Sequence, residues 1–276
     1  MQTRNGTIQA DGAELYYQTV GDGTPVLILQ GGLGEAGATD QLAGHLSGSG
    51  HLVISHDRRG ISRSTVQRPT GRPPLDQHAA DAAAILHALD VGPTLVVGAS
   101  IGALIGLHLA INHPAQVSLL VAHEAPMPGL VRDPQREADL DRIEAMAATD
   151  VLAAIQLMGA ITGGGSREVR EPDAASPAPV GDLHANLRYF FAHDFPAVRS
   201  SSLTAAGVRP AAQTVRVVPT GGVASREGWE HRCASALAEG LGRPLIELPG
   251  GHNGLVSNPR GVAGELLHLF RQEFVS

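Results

Sequence analysis

The segment Val96-Val97-Gly98-Ala99-Ser100-Ile101-Gly102 joins a short apolar run to a Gly-x-Ser-x-Gly motif, and residues 103–110 have the composition of a helix. A serine on a sharp turn between a strand and a helix has its hydroxyl lifted out of the backbone, and the first amides of the helix point at whatever binds there. Glycines on either side permit strained dihedral angles and close approach of neighbouring backbone. We interpret Ser100 as a nucleophile. Because such short motifs also occur in ordinary turns, the rest of the chain has to supply the context.

The composition limits the classes of function. The chain has 276 residues, of which 43% are hydrophobic and 17% are charged, so we expect a compact soluble protein. The net charge is −7 and no basic cluster is present, which argues against nucleic-acid binding. Every basic residue is an arginine, so Schiff-base chemistry, pyridoxal-phosphate attachment and a Walker lysine are excluded.

Cysteine usage and apolar segments predict the compartment. Cys233 is the only cysteine, which excludes an internal disulfide and a cysteine-rich metal site. Residues 1–6 lack the apolar core of a signal peptide, and no apolar run approaches the roughly 20 residues that span a bilayer. We expect a cytoplasmic protein without membrane association, bound metal or cofactor. A homodimer stays open.

Buried strands and helices alternate along the first half of the chain. Continuous apolar runs are typical of strands buried on both faces of a sheet; they occupy 26–29, 52–55, 94–97 and 117–122. Helical spacing predicts helices between them, at 40–47, 75–89 and 101–112. This alternation predicts an α/β fold with a mostly parallel central sheet flanked by helices.

The composition changes between residues 125 and 213, where no buried strand is predicted. That stretch is rich in Ala, Met, Pro and charge, and 139–158 is predicted to form one or two helices. The sheet pattern then resumes, with strands at 215–218 and 245–248 and helices at 229–239 and 259–274. We predict a core domain of residues 1–124 and 214–276, with 125–213 inserted as a helical cap over the carboxyl ends of the strands.

A hydroxyl nucleophile needs a base, an orienting acid and an oxyanion site. His252 lies in a glycine-flanked loop directly after the last predicted strand, and such loops face the same sheet edge as Ser100. We therefore predict His252 as the base. The amides of Ile101, after the nucleophile, and Gly32, after the first buried strand, are the predicted oxyanion hole. Each such donor is typically worth about 3–4 kcal/mol of transition-state stabilisation.

The acid is harder to identify. In many Ser/acid/His hydrolases of this topology an Asp follows the strand after the insertion, but this chain has no Asp beyond Asp194. Glu124 is the preferred candidate because it ends the strand after the one that carries Ser100, so its carboxylate can reach the same sheet edge. Glu227 is the alternative, since it lies in the loop where the Asp is usually found. A solvated surface charge is the competing interpretation of either glutamate.

Four motifs in this order resemble the α/β-hydrolase fold superfamily over essentially the whole chain; they are Gln30-Gly31-Gly32, Asp57-Arg58-Arg59-Gly60-x-Ser62-x-Ser64, Gly98-x-Ser100-x-Gly102 and Gly251-His252. Within it, the chain is most similar to the fungal zearalenone lactonases and related bacterial hydrolases. The shared pieces are Gly32-Leu33-Gly34-Glu35, Ile61-Ser62-Arg63-Ser64, His123-Glu124-x-Pro126 and Gly251-His252 followed by Val256-Ser257-x-Pro259. The resemblance implies a Glu acid at the position of Glu124. It also implies a Trp in the cap, whereas the only Trp here, Trp229, lies outside the predicted cap.

These features predict a cofactor-free serine hydrolase that cleaves an ester or lactone of an apolar small molecule through an acyl-enzyme. The predicted substrate contacts are Leu33, Met127, Tyr189, Phe190, Phe191 and Phe195. The chain has five Phe and three Tyr, and half of them gather at 189–195, where packing within the cap explains them equally well. Two alternatives stay open: hydrolysis of a carbon–carbon bond by the same machinery, and a non-hydrolytic receptor or secondary-metabolism synthase on the same scaffold.

Overall fold

A mostly parallel sheet forms the centre of the molecule in the computed structural model, which describes residues 2–72, 74–162, 170–178 and 181–273. Its strands are β1 Thr3–Ala10, β2 Ala13–Val20, β3 Thr24–Leu29, β4 His51–His56, β5 Thr65–Val66, β6 Thr94–Ala99, β7 Val117–His123, β8 Arg216–Gly222 and β9 Ile246–Leu248. The spatial order is β1-β2-β4-β3-β6-β7-β8-β9, and β5 pairs with β2. The strands from β4 to β9 in this order are parallel, and β1 and β2 are antiparallel to their neighbours. The α/β fold predicted from the sequence is confirmed.

Helices cover both faces of the sheet. The α-helices are α1 Asp40–Ser47, α2 Pro74–Ala88, α3 Ile101–Asn112, α4 Pro134–Ala147, α5 Val151–Ile161, α6 Leu183–Tyr189, α7 Phe195–Arg199, α8 Ala205–Val208, α9 Trp229–Leu241, α10 Gly254–Ser257 and α11 Pro259–Glu273. Alternate residues of a strand point to opposite faces. Leu27 of β3 accordingly packs with α2, α3 and α9, whereas Val26 packs with α1 and α11. In the described ranges no helix is long and apolar enough to cross a membrane.

Helices α4 to α8 all lie between β7 and β8, within the segment 125–213 for which the sequence predicts a cap. A π-helical turn, Phe190–Asp194, joins α6 to α7. Residues of α4, α5, α6 and this turn form a hydrophobic cluster of their own, which includes Leu140, Ile143, Leu187 and Phe190. The helices of this segment therefore bury apolar faces against each other as well as against the sheet.

A buried cluster of charges ties the π-helical turn to the core. The carboxylate of Asp194 accepts hydrogen bonds from Arg58 Nε at 3.2 Å and from His78 Nε2 at 2.9 Å. Burial favours the protonated acid, but the charges of His78 and Arg58 hold the pKa of Asp194 below its ordinary value. A buried carboxylate shared by two partners fixes the position of the turn that carries the aromatic residues.

Several strands differ from the sequence prediction, and β1 and β8 show the physical reasons. β1 was not predicted because its residues are largely exposed and form no apolar run; its pairing with β2 at the sheet edge defines it. β8 continues past the apolar run at 215–218 to Gly222, because its last residues pair with β9. This extension brings the end of β8 beside the end of β7.

Candidate active site

Ser100 occupies the turn between β6 and α3. Its φ of 54° and ψ of −126° lie in a region that is rare for a residue with a side chain. The amide of Ser100 donates a hydrogen bond to the carbonyl oxygen of His123 at 2.9 Å, which links the turn to the end of β7. The residue lines a cavity above the carboxyl ends of the strands. The strained turn predicted from the motif is therefore present.

The two glycines of the motif are required by close packing of α3 on the sheet. A Cβ on Gly102 would lie 2.1 Å from the carbonyl oxygen of Leu29, and a Cβ on Gly98 would lie 2.5 Å from that of Gly102. Both contacts are with backbone, which cannot rotate away as a side chain can. The turn can hold Ser100 in place only because these positions carry no side chain.

We expect Gly102→Ala to lower the free energy of unfolding by about 1–3 kcal/mol or more, because the new methyl group overlaps the backbone of β3. Gly44→Ala is the matched control: its Cβ would lie in open space on α1, so the expected change lies between zero and a gain of about 1 kcal/mol. Urea unfolding of both variants measures the difference. Equal stability of Gly102→Ala and the wild type would contradict the described turn.

Glu124 lies fully buried where β7 ends, with a φ of 48°. Its Oε2 accepts a hydrogen bond from His252 Nδ1 at 2.8 Å, and its Oε1 accepts from the amide of Gly222 at 2.8 Å and from the hydroxyl of Ser225. Burial raises the pKa of Glu124, but these hydrogen bonds and the neighbouring histidines outweigh burial and lower it to about 2. The carboxylate is therefore ionised at neutral pH.

His252 lies in the loop after β9 and lines the same cavity as Ser100. Since a carboxylate only accepts hydrogen bonds, Nδ1 carries the proton, and Nε2 of the neutral ring is free to act as an acceptor. Burial lowers the pKa of His252, but the hydrogen bond to Glu124 and the charge of Glu230 outweigh it, so the net shift is upward. This arrangement suits a histidine that takes a proton and becomes positively charged.

Glu227, the alternative acid, lies in an exposed turn after β8. The carboxylate that contacts His252 is that of Glu124. The loop where an Asp was sought instead supplies Ser225, whose hydroxyl donates to Glu124. In this loop, which the structure describes throughout, Ser225 thus holds the carboxylate of Glu124, and no carboxylate of the loop contacts His252.

His123, the last residue of β7, connects the loops on either side of it. The ring is fully buried, with Nε2 3.1 Å from the carbonyl oxygen of Gly251 and Nδ1 3.1 Å from Oγ1 of Thr220. Burial lowers the pKa of His123, so the ring is neutral at neutral pH. Because its own carbonyl accepts from Ser100, this residue contacts both the nucleophile turn and the loop of His252. Apart from the family resemblance, no sequence pattern pointed to this role of His123.

The loop of Gly31 and Gly32 passes directly beside Ser100. A Cβ on Gly31 would lie 3.5 Å from the Cβ of Ser100, and Gly32 and Ile101 line the cavity with it. Arg58 fixes this loop: its guanidinium donates to the carbonyl oxygens of Gln30 at 3.1 Å and Gly31 at 3.3 Å, and to that of Gly32. Arg58 is in turn held by Asp194, so the loop of Gly31 and Gly32 and the π-helical turn share one support.

The cavity has a volume of about 350 Å³, and most of its lining is apolar. Three of the predicted substrate contacts line it, namely Leu33, Phe190 and Phe195. A cavity of this size and lining is typical of a site for a small, mostly apolar molecule.

Met127, Tyr189 and Phe191 are not among the residues that line the cavity, which corrects the sequence prediction. Met127 is fully buried in the core cluster on the α3 face of the sheet. The ring of Tyr189 packs over Gly60, and Phe191 packs edge-on against the ring of Phe190 at a centroid distance of 5.2 Å. Successive residues of a helical turn point in different directions, so only some of a run of aromatics can face the cavity.

Trp229, Arg136 and Glu230 are among the lining residues that were not predicted from the sequence. Trp229 begins α9, outside the predicted cap, and its Nε1 donates to the carbonyl oxygen of Val131 at 3.0 Å. Arg136, in the first turn of α4, forms a buried ion pair with Glu230 in the first turn of α9. No local pattern could have linked residues 94 positions apart.

The described part of the chain supports neither a metal site nor a reactive thiol. No group of three or more His, Cys, Asp or Glu side chains there could hold a metal ion. Cys233 is buried, and burial raises the pKa of its thiol to about 12. A thiol with this pKa stays protonated at neutral pH and is a poor nucleophile.

Comparisons with known proteins identify the family of this chain. A family model described as alpha/beta hydrolase fold matches residues 24–160. An uncharacterized hydrolase of Bacillus subtilis, YraK, is 32% identical over 276 residues, which cover 99% of this chain and 98% of that protein. A zearalenone hydrolase of Bionectria ochroleuca is 29% identical over 128 residues, or 46% of this chain and 48% of its own length.

A solved structure shares the fold over nearly the whole chain. It is an alpha/beta hydrolase from Sphaerobacter thermophilus, with a TM-score of 0.70 and 24% sequence identity, and the match covers 96% of this chain and 100% of that one. The likeness to this structure shows the fold alone, whereas the relative from Bacillus subtilis shows the family along the full length. The chain therefore belongs to the α/β-hydrolase fold family and is a hydrolase.

Proposed function

We propose that this hydrolase cleaves a carboxylic ester or lactone of an apolar small molecule, with Ser100 as nucleophile, His252 as base and Glu124 as the orienting acid. The observation that carries the proposal is the 2.8 Å hydrogen bond from His252 Nδ1 to the buried carboxylate of Glu124, in a cavity that Ser100 also lines. A carboxylate–imidazole pair and a serine on a strained turn, lining one cavity, are the groups that nucleophilic acyl transfer needs.

In the proposed reaction, Ser100 Oγ attacks the carbonyl carbon while His252 Nε2 takes the hydroxyl proton. Glu124 stabilises the imidazolium, and the amides of Gly32 and Ile101 donate to the oxyanion. Collapse of the tetrahedral intermediate breaks the acyl C–O bond, and His252 returns its proton to the leaving alkoxide. His252 then removes a proton from a water molecule, which attacks the acyl-enzyme, and Ser100 leaves with that proton.

We include lactones among the proposed substrates for two reasons. The mostly apolar cavity fits a small substrate with few polar groups, whether linear or cyclic. In addition, the relative from Bionectria ochroleuca is named for the hydrolysis of zearalenone, and this chain is similar to it over 128 residues. With a lactone, the alcohol released from the tetrahedral intermediate stays attached to the acyl group, so both products leave as one hydroxy acid.

A panel of purified substrates tests the reaction class. We expect the enzyme to hydrolyse p-nitrophenyl esters of medium chain length and at least one macrolactone. Chromatography detects the hydroxy acid that a macrolactone would release. Diketones with a scissile carbon–carbon bond are the comparison set. Cleavage of the diketones without measurable cleavage of any ester or lactone would contradict the proposal and favour carbon–carbon hydrolysis.

A further inference from the structure

A buried ion pair lies in the mostly apolar lining of the cavity. The guanidinium of Arg136 donates to the carboxylate of Glu230, and the two side chains are 9% and 5% exposed. The guanidinium also lies 5.2 Å above the ring of Trp229. All three residues line the cavity together with Ser100 and His252, so the pair faces the space that a substrate occupies.

Stability does not account for this pair. Two charges that lose their hydration on burial regain little by pairing, and apolar residues of similar volume often serve as well or better. Arg136 lies in the first turn of α4, where the helix dipole disfavours a cation. Its Nε is buried and has no hydrogen-bond partner among the described residues. An unpaired buried donor costs free energy that a pair kept for stability alone would avoid.

The chemistry of the pair selects the partner. A guanidinium only donates hydrogen bonds and a carboxylate only accepts them, so a group that does both satisfies the two at once. A hydroxyl can accept from Arg136 while donating to Glu230. A carboxylate on the substrate would meet the negative charge of Glu230, and an ammonium group would meet the positive charge of Arg136. The pair therefore favours a neutral polar group.

The charges of the pair also act on His252. The charges of Glu230 and Arg136 act on the pKa of His252 in opposite directions, Glu230 raising it and Arg136 lowering it. A hydroxyl carries no charge, so its binding to the pair leaves the net charge beside His252 unchanged.

We propose that Arg136 and Glu230 bind a hydroxyl group of the substrate, so that the natural substrate class is neutral, mostly apolar esters or lactones with a hydroxyl away from the scissile bond. This inference rests on the proposed ester or lactone hydrolysis. Apolar walls supply most of the binding, and the ion pair selects the hydroxylated compound and fixes its orientation relative to Ser100.

The inference can be tested first on the wild-type enzyme, by comparing substrates with and without the hydroxyl. We expect kcat/KM for p-nitrophenyl ω-hydroxyalkanoates, or for acetates of alkanediols, to exceed that for the matched esters without the hydroxyl by about 10-fold or more at one chain length. Carbon chains of four to ten atoms, in the acyl group of the first series and in the alcohol of the second, vary the distance between the scissile ester and the hydroxyl. Ratios within about twofold of one in both series would overturn the inference, whereas failure to hydrolyse any ester or lactone would instead reject the proposed function.

The double variant Arg136→Met/Glu230→Leu links the preference to the pair. Replacing both partners avoids a lone buried charge, and we expect the hydroxyl preference to fall to a ratio of about one. Arg142→Met is the control, because Arg142 lies on the same helix in an exposed pair with Asp139 and should keep the wild-type ratio. Thermal unfolding of each variant shows that it is folded. A double variant that folds and keeps the preference would assign the pair a purely structural role.

Discussion

Replacing Ser100 with alanine should lower kcat for ester hydrolysis by on the order of 10⁴–10⁶-fold, because no other group in the site can form the acyl-enzyme. The cavity keeps its shape, since alanine differs from serine only by the hydroxyl. We therefore expect a similar affinity for a non-hydrolysable substrate analogue. Steady-state kinetics and calorimetric titration of the analogue measure the two effects separately.

Ser202→Ala is the matched control for the Ser100 variant, because Ser202 is exposed and is not among the cavity residues. It should keep wild-type kinetics. A Ser100→Ala variant that is folded, binds the analogue and retains wild-type turnover would contradict the assignment of the nucleophile.

Glu124→Gln should lower kcat by about 10³–10⁴-fold, because an amide cannot stabilise the imidazolium as a carboxylate does and can favour the wrong tautomer of His252. The pH profile should change as well. Only neutral His252 can act as base, so wild-type kcat/KM rises with pH through the pKa of His252, which Glu124 raises above 6.5. Without the charge of Glu124, burial lowers that pKa, and the rise in the residual activity should move to lower pH.

Glu227→Gln separates the two glutamates. Glu227 lies in an exposed turn, so this variant should keep both the rate and the pH profile of the wild type. Wild-type activity in Glu124→Gln together with a large loss in Glu227→Gln would reverse the assignment of the acid. A rate loss in Glu124→Gln without a shift of the pH profile would indicate damage to the fold rather than to the pair.

The parts of the fold that apolar runs encode could be predicted from the sequence. β3, β6 and β7 are continuously apolar because both of their faces are covered by helices, and this pattern placed Ser100 and Glu124 at the same sheet edge. β1 could not be found in this way, because an exposed edge strand is defined by its backbone pairing with β2. Residues without periodic burial leave no pattern to detect.

The remaining part of the site depends on contacts between distant segments. Asp194, Arg58 and His78 hold the π-helical turn and so determine which of its aromatic side chains point into the cavity. A single sequence does not reveal these contacts. For the same reason Tyr189 and Phe191 were predicted as substrate contacts and Trp229 was not, although of these three residues only Trp229 lines the cavity. Burial of a charged side chain such as Arg136 is likewise a property of the folded chain.

Covalent labelling with a fluorophosphonate, followed by peptide mass spectrometry, tests the central claim most directly. The serine oxygen displaces fluoride from such a probe and becomes phosphonylated, which is fast only when the serine is activated by a base and the developing negative charge is stabilised. We predict one adduct per chain on the peptide that contains Ser100, loss of esterase activity in proportion to labelling, and no labelling of Ser100→Ala or of unfolded protein. Folded, active protein in which Ser100 stays unlabelled while another residue carries the inactivating adduct would contradict the account.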